Sequence, residues 1–345
     1  MWGVQSKEES LKTILVTGAA GFIGSHTVQI LASRGDKVIG LDNLNDYYDP
    51  AQKRANLEEV RQVLTKSGQA NVFDFVEGDI RNRKLVSEIF ATHSFDAVVH
   101  LAAMAGVRAS IENPHVYYDV NIMGTLNLLD AAVGRINREE KPDVLPTFVF
   151  ASTSSVYGNT KQIPFVEHDT SDRPLAPYAA SKRGGELVGY SYHHLYGLAF
   201  TALRFFTVYG PRGRPDMMAY KVLDNIFTGR EVPLYNSGQM HRDWTFVTDI
   251  VQGIIGAVDR PLGYEIINLG RGQPVLLSKF VKIIEQLAGK PANLVSTPMV
   301  EADVAYTYAD INKAKDLLGY APKLSVHEGV SQFWDWYKTA VLLHS

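Results

Sequence analysis

The chain has 345 residues, 46% of them hydrophobic and 21% charged, with a net charge of -3 at pH 7 and no cysteine. That balance excludes a disordered or fibrous chain and gives no broad electrostatic reason to bind nucleic acid or an anionic membrane. It also rules out disulfides, thiolate catalysis and sulfur-ligated metal. No apolar stretch approaches the roughly 20 residues that span a bilayer, and "MWGVQSKEES" lacks the apolar core of a signal peptide, so the expectation is a cytoplasmic protein acting on small molecules.

The first two hundred residues alternate short β-branched runs with amphipathic stretches. The runs are "KTILVT", "KVIGLD", "FDFVEGD", "DAVVHLAA", "TFVFAST" and "FTALRFF", and continuous apolar runs of this length fit strands buried on both faces of a parallel sheet. Helical patterns fall near 21–34, 51–66, 83–92, 115–134 and 178–196. Strand–helix alternation of this kind predicts an α/β fold with a doubly wound parallel sheet. After about residue 210 shorter strands ("EVPLY", "WTFV", "EIINLG") mix with helices near 248–259, 278–288 and 325–342. The expected division is an extension over 1–11, a nucleotide-binding domain over 12–209 and a smaller C-terminal α/β lobe over 210–345 that binds substrate, with strand exchange between lobes allowed. No Pro/Gly/Ser-rich linker separates them, so a cleft within one body is expected.

The first strand runs into "GAAGFIG", with Gly18, Gly21 and Gly24 spaced GxxGxxG ahead of a helix. Gly18 permits a tight turn, Gly21 lets the backbone approach a pyrophosphate, and Gly24 permits close helix packing, while the helix N-terminus supplies amides and partial positive charge. Asp42, 24 residues after Gly18, ends the second strand, where it can accept hydrogen bonds from the adenosine ribose hydroxyls. It would repel a 2'-phosphate, and no arginine follows in "DNLND", so the cofactor read from this Rossmann-type start is NAD. The plainer alternative is a turn or capping aspartate.

The fifth strand ends in "ASTSSVYG", where Ser152, Thr153, Ser154 and Ser155 stand in a row. Further on, "YAASK" sets Tyr178 and Lys182 four apart on one face of a predicted helix. A tyrosine titrates near 10, but an ammonium about 4 Å away is worth on the order of 4 kcal/mol at an effective dielectric near 20. Such a Tyr178 could work as a phenolate near neutral pH, helped by a positive nicotinamide, although a tyrosine and a lysine at this spacing also occur often by chance. The adjacent His193 and His194 are expected on a helix face rather than at a metal, and no metal site is expected.

Taken together, these features and the longer stretches "GLDNLNDYYDP", "HLAAMAGVRASIENP", "LRFFTVYGPRGRPDM" and "HRDWTFV" resemble the extended short-chain dehydrogenase/reductase superfamily, and within it the UDP-glucuronate 4-epimerases, over nearly the whole chain. The resemblance implies a catalytic triad of Thr153, Tyr178 and Lys182. It implies NAD contacts from Phe22, Ile23 and Asn43 beside Asp42, from Asp79 and Ile80 at the adenine, and from Leu101, Ala102, Ala103 and Phe205, with Asn121 in the supporting network. It also implies a tightly held NAD that is not consumed, a UDP-sugar substrate, and a homodimer joined through the helices near 115–134 and 178–196.

Related 4,6-dehydratases carry acidic residues directly after the threonine, and decarboxylating relatives carry a glutamate two places after it. Here those positions are Ser154 and Ser155, which can hold a substrate carboxylate without repelling it, although they could instead merely cap the following turn. Thr207 stands where UDP-galactose 4-epimerases have an asparagine. By the same resemblance Arg242 meets the diphosphate and Asp303 lies on the uridine side, while Val300 replaces an arginine of the UDP-galactose enzymes. Arg108 and Arg214 are candidates for diphosphate or carboxylate contact, or else surface ion pairs. The expected activity is conversion of UDP-glucuronate to UDP-galacturonate through a transient 4-keto intermediate. The competing expectations are a 4-epimerase of neutral UDP-hexoses or UDP-N-acetylhexosamines, and a non-catalytic NAD-binding regulator.

Overall fold

The computed structural model of the chain describes residues 11–135, 144–298 and 304–342. Its centre is a sheet of seven parallel strands: β1 (Thr13–Thr17), β2 (Lys37–Asp42), β3 (Phe73–Glu77), β4 (Ala97–His100), β5 (Thr147–Thr153), β6 (Phe200–Phe205) and β11 (Tyr264–Leu269). The spatial order is β3-β2-β1-β4-β5-β6-β11. Side chains alternate across a strand, and both faces here are buried. Ile14, Val16 and Val149 join one apolar cluster while Leu15, Phe148 and Phe150 join another on the opposite face. That double burial is why the strands read as unbroken apolar runs.

On the first face pack α1 (Phe22–Arg34), α2 (Pro50–Lys66) and α9 (Val247–Asp259); on the second pack α3 (Arg83–Thr92), α6 (Thr125–Ala132) and α7 (Pro177–Tyr196). The helix predicted near 115–134 is more broken than its periodicity implied. A short α4 (Val107–Glu112) precedes it, α5 (Pro114–Tyr118) begins it, and a wide π-helical turn at Asp119–Gly124 leads into α6. A Cβ at Gly124 would sit 2.5 Å from the Ile80 side chain, so only glycine lets this turn approach the β3–α3 loop.

The later segment builds β7 (Thr207–Tyr209) with β10 (Trp244–Phe246), β8 (Glu231–Tyr235) with β13 (Asn293–Thr297), and β9 (His241–Arg242) with β12 (Val275–Leu276). Around them lie α8 (Met218–Thr228), α10 (Leu277–Ala288), α11 (Asn312–Leu318) and α12 (Val326–Leu342). The "EIINLG" segment, expected among the short later strands, is β11 and extends the main sheet by pairing in parallel with β6. Because β1 and β4 are neighbours, their following loops diverge and leave a crevice at the carboxyl ends of the strands, the usual ligand position in such sheets. Among the described residues no helix is long and apolar enough to cross a membrane.

Candidate active site

The crevice is lined by the turn after β1, the ends of β2 to β6, α7 and the loop after β7. Gly18 adopts φ +72°, and a Cβ there would meet the Ala102 nitrogen at 2.7 Å. A Cβ on Gly24 would lie only 1.9 Å from the Gly18 carbonyl, so any side chain at 24 pushes α1 off the turn. The α1 N-terminus has no side-chain cap and no acid in its first turn, which leaves its positive end for an anion. Gly18, Gly21, Phe22, Ile23 and Gly24 all face the crevice. A close backbone approach bounded by glycines is what a dinucleotide pyrophosphate requires, so the residues present fit NAD.

Asp42 is buried at the end of β2. Its carboxylate accepts the Ala20 amide at 3.1 Å and the Leu44 amide at 2.9 Å. Burial raises its pKa, opposed by those amides and by the charge of Lys53. It is thus both a turn aspartate and a lining residue, and the two readings do not compete. Asn43 donates to Asp79 at 2.9 Å. Burial works against the Asp79 charge, but hydrogen bonds from Arg81 and Asn43 prevail and hold it at about 2. Ile80, Leu101, Ala102, Ala103 and Phe205 complete this wall. Asn121 stands behind it: its side chain takes the Met104 amide and donates to the Met104 carbonyl and to Ser181.

Thr153, Ser154, Ser155, Tyr178, Lys182 and Thr207 share the other end of the crevice. Thr153, rather than the serines, caps the following turn. Its hydroxyl accepts the Ser155 amide at 3.2 Å and donates to the Ser155 hydroxyl at 3.2 Å. One expectation is corrected. Lys182 does not pull Tyr178 down: burial raises the phenol, and the groups that lower it are Arg214 and Thr153. The physical reason is that the Lys182 ammonium is turned over the Phe150 ring, 4.3 Å from its centre. There burial lowers it to about 7 against the opposing charge of Glu186.

Arg214 reaches the same crevice, held by Asp216 through Nε to Oδ1 at 2.9 Å and Nη2 to Oδ2 at 2.8 Å. It is an ion pair, but one facing the site rather than the outer surface. Arg242 lies in an adjoining cavity with Ser154, Ser155 and Thr207. Arg108 lines neither cavity; its guanidinium stacks on Tyr235 at 4.2 Å and donates to that hydroxyl at 2.6 Å. Asp303 and Val300 lie outside the described residues.

Sequence reasoning missed Tyr47, Tyr48 and Lys53, which also line the crevice. Lys53 donates to the carbonyl and side-chain oxygens of Asn45, both at 2.7 Å, and stacks on Tyr48. The signal was present in "NDYYDP", whose paired tyrosines follow Asp42 within six residues.

The GDP-mannose 4,6 dehydratase family model matches residues 15–333. A UDP-glucuronate 4-epimerase of Thermodesulfobacterium geofontis is 44% identical over 330 residues, covering 95% of this chain and 97% of its own. UDP-glucuronate 4-epimerase 4 of Arabidopsis thaliana is 43% identical over 343 residues, covering 94% of this chain and 75% of its own. The solved UDP-glucuronic acid 4-epimerase of Bacillus cereus, in complex with UDP-glucuronic acid and NAD, is similar at a TM-score of 0.84 and 32% identity, covering 95% of this chain and 99% of that one.

Proposed function

The chain belongs to the extended short-chain dehydrogenase/reductase superfamily, and from that premise we propose that it is an NAD-dependent epimerase interconverting UDP-glucuronate and UDP-galacturonate at carbon 4. The observation that carries this reading is the end of β5, where Thr153 is followed by Ser154 and Ser155 opposite Tyr178. The matching family model is described as a dehydratase, yet elimination of water needs a further acid and base beside the sugar. Among the described residues lining the crevice, the carboxylates are Asp42 and Asp79, at the ends of β2 and β3. The sugar end instead presents neutral hydroxyls, suited to a substrate that brings its own negative charge.

NAD supplies a hydride acceptor that gives the same hydride back, so carbon 4 is inverted with no net redox change. Tyr178 takes the proton of the carbon-4 hydroxyl and returns it. Thr153 hydrogen-bonds the reacting oxygen, and the phenolate that this step needs, which burial disfavours, would be favoured by the Arg214 charge together with the positive nicotinamide of bound NAD. Once carbon 4 is a ketone, the substrate carboxylate lies β to a carbonyl and is prone to leave as carbon dioxide. Ser154, Ser155 and Thr207 hold it out of alignment with the carbonyl π-system by charge-assisted hydrogen bonds. Arg242, in the adjoining cavity, serves the diphosphate.

The reading includes a homodimer. Ile111, Tyr118 and Met123 on the α4–α6 stretch and Leu187, Tyr190 and Leu195 on α7 are between 45% and 66% exposed, and apolar side chains gathered on neighbouring helices support such an interface. Product analysis after parallel incubations with UDP-glucuronate and UDP-glucose tests the substrate. Conversion of UDP-glucuronate to UDP-galacturonate supports the uronate reading. Conversion of UDP-glucose alone replaces it with the neutral-hexose one.

A further inference from the structure

His100 ends β4 with no exposed surface, between Phe148 and Phe150, and the chemistry above gives it no task. An apolar residue would fill that place at no polar cost, whereas a buried imidazole must satisfy both nitrogens. It does so with two threonine hydroxyls: Nδ1 lies 2.7 Å from Thr17 Oγ1 and Nε2 lies 2.9 Å from Thr125 Oγ1.

The direction of each bond follows from the neighbours. Thr125 spends its hydrogen on the Asn121 carbonyl at 2.7 Å, so its oxygen accepts, and His100 carries its proton on Nε2. Nδ1 then accepts from Thr17, whose oxygen takes the Ala102 amide at 3.2 Å. Burial, reinforced by the charge of Lys182, keeps the ring neutral. The chain continues past Asn121, whose side chain donates to Ser181 Oγ at 2.9 Å, and Ser181 in turn donates to the Tyr178 carbonyl at 2.8 Å. Every hydroxyl on this path has one donor role and one acceptor role.

We propose that His100 is a positioning residue: as the neutral Nε2–H tautomer it ties Thr17 to Thr125, and through Asn121 and Ser181 it fixes the catalytic turn of α7 relative to the wall at Gly18 and Ala102. The wide turn at Asp119–Gly124 is part of the device. An interruption of this kind re-aims side chains within a helix, and here the Asn121 side chain spans from the β4–α4 loop to α7. The two ends of the strut are the crevice wall beside the glycine turn and the backbone of the base. Its length therefore sets the separation across which hydride and proton move, where a small misplacement is costly.

The kinetic readout rests on the epimerase reading, and turnover of the unaltered enzyme on UDP-glucuronate, measured alongside, separates the two: an inactive parent enzyme overturns the reading, not the strut. Thr125→Val removes one hydroxyl with little change of volume, and Thr125→Ser keeps it. In the purified holoenzyme, Thr125→Val lowers kcat tenfold or more while KM for UDP-glucuronate and the bound NAD per chain stay within about twofold, and Thr125→Ser recovers most of the loss. Unchanged kcat in Thr125→Val overturns the proposal. So does a parallel loss of NAD and kcat, or a serine variant as slow as the valine one. Should Thr125→Val not fold, His100→Gln, whose amide can still donate from near the Nε2 position, must keep more kcat than His100→Asn, and the reverse order overturns it.

Discussion

The Lys182 ammonium lies 4.3 Å from the centre of the Phe150 ring and is almost fully buried, in a place that costs the fold stability. Its pKa falls from 10.5 to about 7. A lysine lowered on folding binds fewer protons in the native state than in the unfolded one. Stability therefore rises with pH between about 7 and 10.5, and the full cost, several kcal/mol at about 1.4 kcal/mol per pKa unit, is present below 7. In protein stripped of nucleotide, Lys182→Met raises Tm below pH 7, and the gain shrinks as pH climbs towards 10.5. The same variant loses turnover. A Tm gain that is flat across that window contradicts the assignment.

Tyr178 packs edge-on against Tyr117, with ring centroids 6.2 Å apart, a contact that Tyr178→Phe preserves. That variant removes only the proton acceptor. It keeps bound NAD and UDP-sugar affinity and loses kcat by several orders of magnitude, measured by single-turnover kinetics. Turnover close to the unaltered enzyme means the base lies elsewhere.

Ser154 and Ser155 face the same crevice but are bonded differently. Ser155 is also bonded to Thr153 through its amide and hydroxyl, and Ser154 is not. Ser154→Ala and Thr207→Ala therefore change mainly the fate of the ketone. A charge-assisted hydrogen bond is worth about 1.5–3 kcal/mol, or tenfold and more in partition. Both variants release carbon dioxide, a UDP-4-keto-pentose and NADH in equal amounts. Ser155→Ala does the same and also slows the first hydride transfer. Normal epimerisation with no added carbon dioxide in all three variants moves the carboxylate contact to Arg214.

The glycines of the first turn are unequal. A Cβ on Gly24 lies 1.9 Å from the Gly18 carbonyl, while one on Gly21 lies 3.2 Å from the same atom. Gly24→Ala costs soluble expression or bound NAD, and Gly21→Ala costs far less fold stability while weakening NAD. Thermal melts and nucleotide content after purification read both.

Features carried by neighbouring residues were legible in the sequence: the turn at "GAAGFIG", the acid ending β2, and Tyr178 and Lys182 one helical turn apart. Features that depend on where a side chain lands were not. The Arg214–Asp216 fork is local, yet its second contact comes from Tyr47, whose hydroxyl donates to Asp216 at 3.3 Å from 169 residues away. The wide turn at Asp119–Gly124 escaped because one wide turn barely disturbs apolar periodicity. Spacing fixes the helix face that Lys182 shares with Tyr178, but the rotamer that sends its ammonium over Phe150 is set by the sheet below. Chain order places β11 among the later, shorter strands, but it does not reveal sheet order, which sets β11 beside β6.

On the proposed function, carbon 4 is inverted by removing and returning one hydride on an NAD that never leaves. Incubation of the purified protein with UDP-glucuronate in deuterium oxide, with no added nucleotide, tests it in a single NMR spectrum. Internal hydride return gives UDP-galacturonate with protium at carbon 4 and no build-up of NADH. Deuterium at carbon 4, or conversion only when NAD is added in step with product, contradicts it.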